Sequence, residues 1–536
     1  KIESTQPLRF HRMTPPLLSC FLPLIVCFAL AAGAPSLPIW PLPAKFSVGE
    51  TLLYVSPNTT FTLNCQDKSI EKDMQNSFAR FSENVFTHRV PGDTVFADGL
   101  VFQVFVKVEG GAELQLGIDE SYELTIQQNG EIYIAAPTQV GAIHAVESLS
   151  QLILFNFTSK AYIIENAPIT IHDAPRFPHR EILIDTARHF EPVRMLKRIL
   201  TSMTYSKLNV MHWHLVDSQS FPFDSPTYPE LSEMGAFSKH ERYSIEDVED
   251  VVEYARMRGI RVVVEIDTPG HARSFCNSHP EICPSVACPE PLAPDTNATF
   301  EVLEGLFKDI TGGKRGSGLF FDNMIHLGGD EVNTKCWLQS PRISDWLKEN
   351  NMTGNDAYLY MVSRVQSIAH SFGRDVVGWE EIWDNFGTKL DKSTIIQQWK
   401  STTAVPEAVN AGYRAIWSTD GLWYLDGLTV KWDKMYIQEP CDGVDDHACG
   451  NLVIGGGGEM WGETADASDV LQTIWPRMAA IAERLWSPRE INDTILAKTR
   501  LLNFRCLLNH RGIPAAPLLN PKARSAPANP GSCYFQ

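Results

Sequence analysis

The chain has 536 residues, with 46 Lys and Arg against 64 Asp and Glu and a formal net charge of −18. Apolar residues make up 44% and charged residues 21%, an ordinary globular balance in a chain too long for one core, so two domains are expected. No basic run offers the clustered Lys and Arg that phosphate backbones need, which excludes nucleic acid as a partner.

Lys1 is not an initiator, so residues 1–12 read as upstream sequence and Met13 as the start. Residues 17–32 (LLSCFLPLIVCFALAA) form an apolar run followed by Gly33 and Ala34. Its length and small-residue ending fit a signal peptide cleaved after Ala34 better than a membrane span. No later stretch is apolar enough to cross a bilayer, so an integral membrane protein is not expected. Secretory entry agrees with glycosylation sequons at Asn58, Asn156, Asn297, Asn351 and Asn492. Of eleven cysteines, Cys20 and Cys27 fall in the leader. The rest read as disulfides in an oxidising compartment. Cys276, Cys283 and Cys288 cluster, with Cys336 a longer-range partner for one of them; Cys441 lies near Cys449, Cys506 precedes Cys533, and Cys65 is left over. Zinc needs tight cysteine pairs, and only Cys283 to Cys288 approaches that spacing.

Residues 35–174 read as a small α+β domain. Segments 102–110 and 122–136 alternate apolar and polar residues, the second turning at Gln128-Asn129-Gly130, and 138–154 has helical spacing. From 175 to 536 the rhythm is strand, helix, strand. Strands are predicted at 181–185, 209–217, 259–267, 324–329, 375–380, 394–399, 413–418 and 452–461, with amphipathic helices such as 245–258 and 357–372 between them. Eight such strands predict a (β/α)8 TIM barrel, an α/β fold. An open doubly wound sheet would carry a glycine-rich phosphate loop after its first strand, and DTARHF is not one.

Barrel chemistry gathers at the C-terminal ends of the strands. Arg188 follows the first strand, Asp217 ends the second, and Asp267 with His271 closes the third; Asp330 and Glu331 follow the fourth. Trp379, Trp399, the pair Tyr424 and Asp426, and the pair Trp461 and Glu463 close the remaining four. Indole faces pack on a pyranose while carboxylates and Arg bind its hydroxyls, so the set points to a sugar site. In HLGGDEV, Gly328 and Gly329 let the chain turn as it leaves the sheet. Side chains of sequence neighbours diverge, so Asp330 and Glu331 do not form a nucleophile and acid facing each other across a sugar. One carboxyl serves as acid and the other positions a substrate group acting as internal nucleophile. His212 and His214 in HWHLVD precede the strand end and lack companion ligands further on, so they read as core or supporting histidines; no metal and no cofactor is expected.

DTARHF, KLNVMHWHLVDSQSFP, GIRVVVEIDTPGH, HLGGDEV, GWEE, WYLDG, MWGE and IWPRMAAIAERLWSP, in that order, make the chain resemble family 20 glycoside hydrolases, β-N-acetylhexosaminidases of the lysosomal or vacuolar type. The resemblance covers nearly everything after the leader. It implies that Glu331 is the general acid/base and that Asp330 orients the substrate 2-acetamido group, whose carbonyl Tyr424 hydrogen-bonds. The acetamido oxygen then attacks C1, giving an oxazolinium and retention without a protein nucleophile. It implies that Arg188, Asp426 and Glu463 bind hydroxyls, that Trp379, Trp399 and Trp461 are aromatic walls, and that Asp217 and His271 tune the acid. It further implies terminal N-acetylhexosamine glycans as substrates, lysosome, vacuole or extracellular space as location, and a homodimer. A neighbouring carboxylate and partial burial are expected to raise the Glu331 pKa. The chain departs from the family pattern at three places. Strand eight has Gly457 where Glu is usual, with Glu459 two residues later, and the run Gly455-Gly456-Gly457-Gly458 is expected to loosen that strand and lower activity. Asp426-Gly427 favours neutral over sulfated or sialylated substrates. Cys65 lacks its usual partner. A catalytically weakened glycan-binding relative is the rival reading, opposed by the intact Asp330-Glu331; a chitinase would need D-x-x-D-x-D-x-E at strand four, which is absent.

Overall fold

The computed structural model describes residues 37–91, 100–518, 526–530 and 532. The leader reading at 1–34 lies outside the described residues. Six strands form the first sheet: β1 (Lys45–Asn64), β2 (Leu100–Gly110), β3 (Tyr122–Ile126), β4 (Ile132–Thr138), β5 (Leu154–Asn156) and β6 (Ala161–Asp173). Their order is β1-β2-β4-β3-β6-β5, with β1 also paired to β6. The β3–β4 hairpin turns where the sequence places it, with Gly130 at φ +89°. Helices Glu71–Val85 and Gln139–Leu152 give Met74, Phe81, Ile143 and Leu149 to the same core as the sheet's Val104, Leu124, Ile134 and Ile169.

Eight parallel strands then close a barrel: β7 (His179–Asp185), β8 (Val210–Val216), β9 (Arg261–Ile266), β10 (Met324–His326), β11 (Asp375–Trp379), β12 (Ile395–Gln398), β13 (Arg414–Trp417) and β14 (Val453–Met460). Every predicted barrel strand is present, most of them trimmed by a residue or two. The fourth ends early, at His326, because Gly328 and Gly329 take φ values of +64° and +92°. Helix Ile245–Arg256 starts on a capping box between Ser244 and Asp247, and helix Asn297–Thr311 stops at Gly312 in the left-handed region. The barrel interior is layered. Val210, Val263, Met324, Val377, Ile395, Ile416 and Ile454 fill one level with apolar side chains, and Leu116 from the first sheet's region packs against them.

The glycine run does not loosen the eighth strand. All residues of β14 are buried, and Gly455–Met460 pair without interruption with His179–Ile184 of β7. The glycines sit where neighbours crowd the backbone: a Cβ on Gly455 would lie 1.8 Å from the His179 carbonyl oxygen. Disulfides join Cys276 to Cys283, Cys288 to Cys336 and Cys441 to Cys449. Cys506 is also disulfide-bonded, Cys533 lies outside the described residues, and Cys65 is a free thiol. Among the described residues no helix is long and apolar enough to cross a membrane.

Candidate active site

The loops after the barrel strands surround a cleft of about 360 Å³, lined by ten of the residues singled out from the sequence together with Asp420. Asp217 and Asp267 are the strand-end residues that stay out of the lining, buried behind it.

Glu331 and Asp330 leave β10 through the Gly328–Gly329 turn. A Cβ on Gly328 would fall 1.7 Å from Asp267 Oδ1, so only glycine lets the loop pass this close to β9. Gly329 N–H donates to the same oxygen at 2.9 Å, and Tyr358 Oη–H donates to the Gly329 carbonyl. Glu331 itself sits at φ +49°, an uncommon conformation for a side-chain-bearing residue, and this sends the neighbouring carboxylates different ways. The Asp330 side chain is 13% exposed, whereas the Glu331 side chain is 61% exposed at the cleft mouth. One imidazole serves both: His271 Nε2 lies 3.4 Å from Asp330 Oδ2 and 3.4 Å from Glu331 Oε2.

Behind His271 stands Asp217, whose Oδ2 is 3.2 Å from His271 Nδ1, 2.8 Å from Arg188 Nη2 and 2.8 Å from His214 Nε2. Burial opposes a charge on His271, but Asp330, Asp217 and Glu331 outweigh it and hold the imidazole protonated. Burial likewise opposes the Asp217 carboxylate, and the His214 and His271 hydrogen bonds overcome it. Asp330 stays ionised for the same reason, with His271 beside it, while Asp267, buried against Asp330, is pushed into its acid form. The expected rise at Glu331 is not found. The hydrogen bond from His271 lowers its pKa, and this outweighs partial burial and the charge of Asp330.

Arg188 lies over the Trp461 ring at 5.0 Å, pairs with Asp185 and Asp217, and reaches within 4.0 Å of Glu463 at the rim. Trp399 is held by both acids of GWEE: Glu380 Oε2 accepts from its backbone N–H at 2.8 Å and Glu381 Oε2 from its Nε1 at 2.7 Å. Tyr424 stacks beside Trp399 at 6.3 Å, and Trp461 closes the wall at 6.4 Å from Tyr424. Trp379, 5.8 Å from Trp461, forms the floor, its Nε1 donating to Glu265 Oε1 at 2.8 Å. Burial and Glu463 push the Asp426 carboxyl up to about 6.

His212 and His214 are interior histidines, as expected, but they are far from inert. Glu265 draws His214 Nδ1 to 2.5 Å, His212 Nε2 to 3.0 Å and His326 Nδ1 to 2.9 Å, and Glu181 accepts from His212 Nδ1 at 3.1 Å. Burial works against both imidazoliums, yet these carboxylates hold His212 up to about 10 and His214 up to about 9. The groupings of His212 with Glu265 and His326, and with Glu181 and Glu459, are buried clusters in which imidazoles face carboxyls; burial pushes His326 down toward its neutral form. Sequence reasoning missed this polar layer, Glu380, Glu381 and Asp420. The available signal was the facing alternation of HWH on β8 with the single Glu of VVVEI on β9.

Such a cleft presents flat aromatic faces to a pyranose and sets a withdrawn carboxylate next to a proton carrier on one side of it; in a barrel of this topology that chemistry defines a glycosidase. Residues 177–489 match the catalytic domain of glycosyl hydrolase family 20, and residues 39–152 match a β-acetylhexosaminidase-like domain. The chain is 43% identical to β-hexosaminidase 1 of Arabidopsis thaliana over 97% of its length and 99% of the relative's. It is 34% identical to the human β-hexosaminidase subunit beta, covering 92% of each chain. A chitobiase structure from Flavobacterium johnsoniae superposes with a TM-score of 0.77 at 28% identity, over 89% of this chain and 73% of that one. The chain belongs to glycosyl hydrolase family 20, the β-hexosaminidases.

Proposed function

We propose that the protein is an exo-acting enzyme that removes terminal β-linked GlcNAc and GalNAc from glycans with retention, using the substrate acetamido group as nucleophile. The observation that carries this reading is the uneven pair on one side of the cleft. Asp330 is buried and held ionised beside His271 and the protonated Asp267, and Glu331 stands exposed at the mouth. Asp330 accepts the acetamido N–H and Tyr424 Oη–H donates to its carbonyl. The acetamido oxygen attacks C1 as the C1–O bond breaks, and Glu331 gives its proton to the departing oxygen. Water then opens the oxazolinium, returning a proton to Glu331. A bound sugar covers Glu331, and the burial it adds raises the carboxyl toward the acid form that the free site lacks.

Arg188, Asp426 and Glu463 hold the outer hydroxyls, Trp379, Trp399 and Trp461 enclose the ring, and Asp217 with His271 sets the charge beside the acid. Residues 1–34 act as a removed leader, 35–174 as a supporting domain and 175–536 as the catalytic part. Passage through the secretory pathway to a lysosome, vacuole or the extracellular space is supported by the disulfides and by the exposed Asn58, Asn297, Asn351 and Asn492; Asn156 is half-buried. A homodimer belongs to the same reading. A thiazoline mimic of the oxazolinium tests the mechanism: tight competitive inhibition is expected, and active turnover with no inhibition would remove substrate assistance.

A further inference from the structure

Gly457 and Glu459 face the same side of β14, because side chains two apart on a strand share a face. A Cβ on Gly457 would meet Glu459 Oε1 at 2.7 Å and Glu181 Oε1 at 2.9 Å. The Glu459 carboxyl therefore folds back along its own strand over bare backbone and occupies the room that a side chain at 457 would take. It is fully buried. Gln397 Nε2 bridges it to the polar layer, donating to Glu459 Oε1 at 3.3 Å and to Glu181 Oε1 at 2.8 Å. From Glu181 the contacts run through His212 to Glu265, which holds the Trp379 indole. The main chain of Glu459 brackets Tyr424: its N–H donates to the Trp423 carbonyl at 3.1 Å, and its carbonyl accepts from Leu425 N–H at 2.7 Å.

We propose that Glu459 is a positioning residue that supplies, from two residues along the strand, the interior carboxyl that Gly457 cannot, and so holds Trp379 in place beneath the sugar. Glu459 does not touch the cleft; its side chain acts through Gln397 and Glu181. The charged groups facing it are Glu181, His212 and Glu265, with Ser418 hydrogen-bonded beside it. Burial and the charge of Glu181 keep its carboxyl in the acid form, so a neutral amide of the same shape should serve in its place.

The inference rests on the hexosaminidase reading, and its test separates the two. The full chain is prepared as E459Q, E459A, G457A and the double variant G457E/E459A. Each is assayed on 4-nitrophenyl N-acetyl-β-glucosaminide, with thiazoline affinity and melting temperature measured alongside. E459Q should keep kcat/KM within roughly threefold, while E459A should lose roughly ten- to a hundredfold in both kcat/KM and thiazoline affinity, as displaced supporting groups do. The double variant should recover most of that loss, because a Glu at 457 refills the room directly. G457A should lose roughly tenfold by pushing the carboxyl out. Unchanged kinetics and thiazoline affinity in E459A would overturn the proposal. So would an impaired but well-folded E459A that the double variant fails to rescue. Should E459A not fold, a fully active G457A would overturn it instead, and a tenfold loss there, with E459Q active, would uphold it. A wild-type chain inactive on the substrate would overturn the hexosaminidase reading and not this one.

Discussion

Glu120, in the segment before β3, and Asp330, after β10, are both carboxylates withdrawn from solvent beside a histidine. Around Glu120 each oxygen is filled: Oε1 accepts from Arg180 Nη1 and Asn209 Nδ2 at 2.9 Å each, and Oε2 from Arg180 Nη2 at 2.5 Å and His144 Nε2 at 2.9 Å. Burial opposes its charge, but Arg180 and His144 bring its pKa down to about 2. Asp330 instead relies on an imidazolium it shares with Glu331, 3.4 Å from one oxygen, and on the protonated Asp267 beside it. We read the first as a joint between two parts of the fold and the second, held charged at a cleft by fewer partners, as the acceptor for a donor on the substrate.

The contrast can be broken most sharply at Glu331. Glu331→Gln should cut kcat by about 10²–10⁴, the usual worth of a positioned acid/base; near-normal release of 4-nitrophenol would sink that assignment. Asp330→Asn should follow, lowering kcat/KM on N-acetyl substrates by about a hundredfold while leaving the melting temperature close to wild type. Equal rates in variant and wild type would show that Asp330 does not act on the substrate. Glu120→Gln should do the reverse, weakening the fold by about 3 kcal/mol through the unpaired buried Arg180, with kcat and KM of the folded enzyme unchanged. Because the Glu120 pKa is depressed on folding, its contribution should be complete above pH 4.5 and fade as the pH falls toward 2. Denaturant titrations across that window check the sign. The smallest effect is expected at Asp426, whose carboxyl titrates near pH 6. KM should fall severalfold between pH 5 and 7 as it ionises and becomes the better acceptor, and Asp426→Asn should flatten that change.

The barrel was legible because its strands are apolar runs separated by amphipathic helices, and the cleft because polar residues sit at their ends. The sequence hid the floor. Glu265 and Glu459 are single acids in their strands and Glu181 is one of several polar residues in β7, and none of them gives a sign of the imidazoles facing it across the barrel. Local reasoning also misjudged Glu331, since the neighbouring Asp330 suggests repulsion and only the folded chain brings His271 between them. The glycine run misled for a related reason. Glycine weakens a strand where nothing packs on it, but here each bare position is filled by a neighbour.

The Cys288–Cys336 disulfide spans the loops after β9 and β10, the same loops that carry His271 and the Asp330-Glu331 pair. The two loops that carry His271 and Glu331 are thus joined by a covalent bond as well as by packing. A chain folded where thiols stay reduced would lack that tie, and those contacts would rest on packing alone. If that bond helps hold the two loops, a reductant should slow turnover before it melts the barrel.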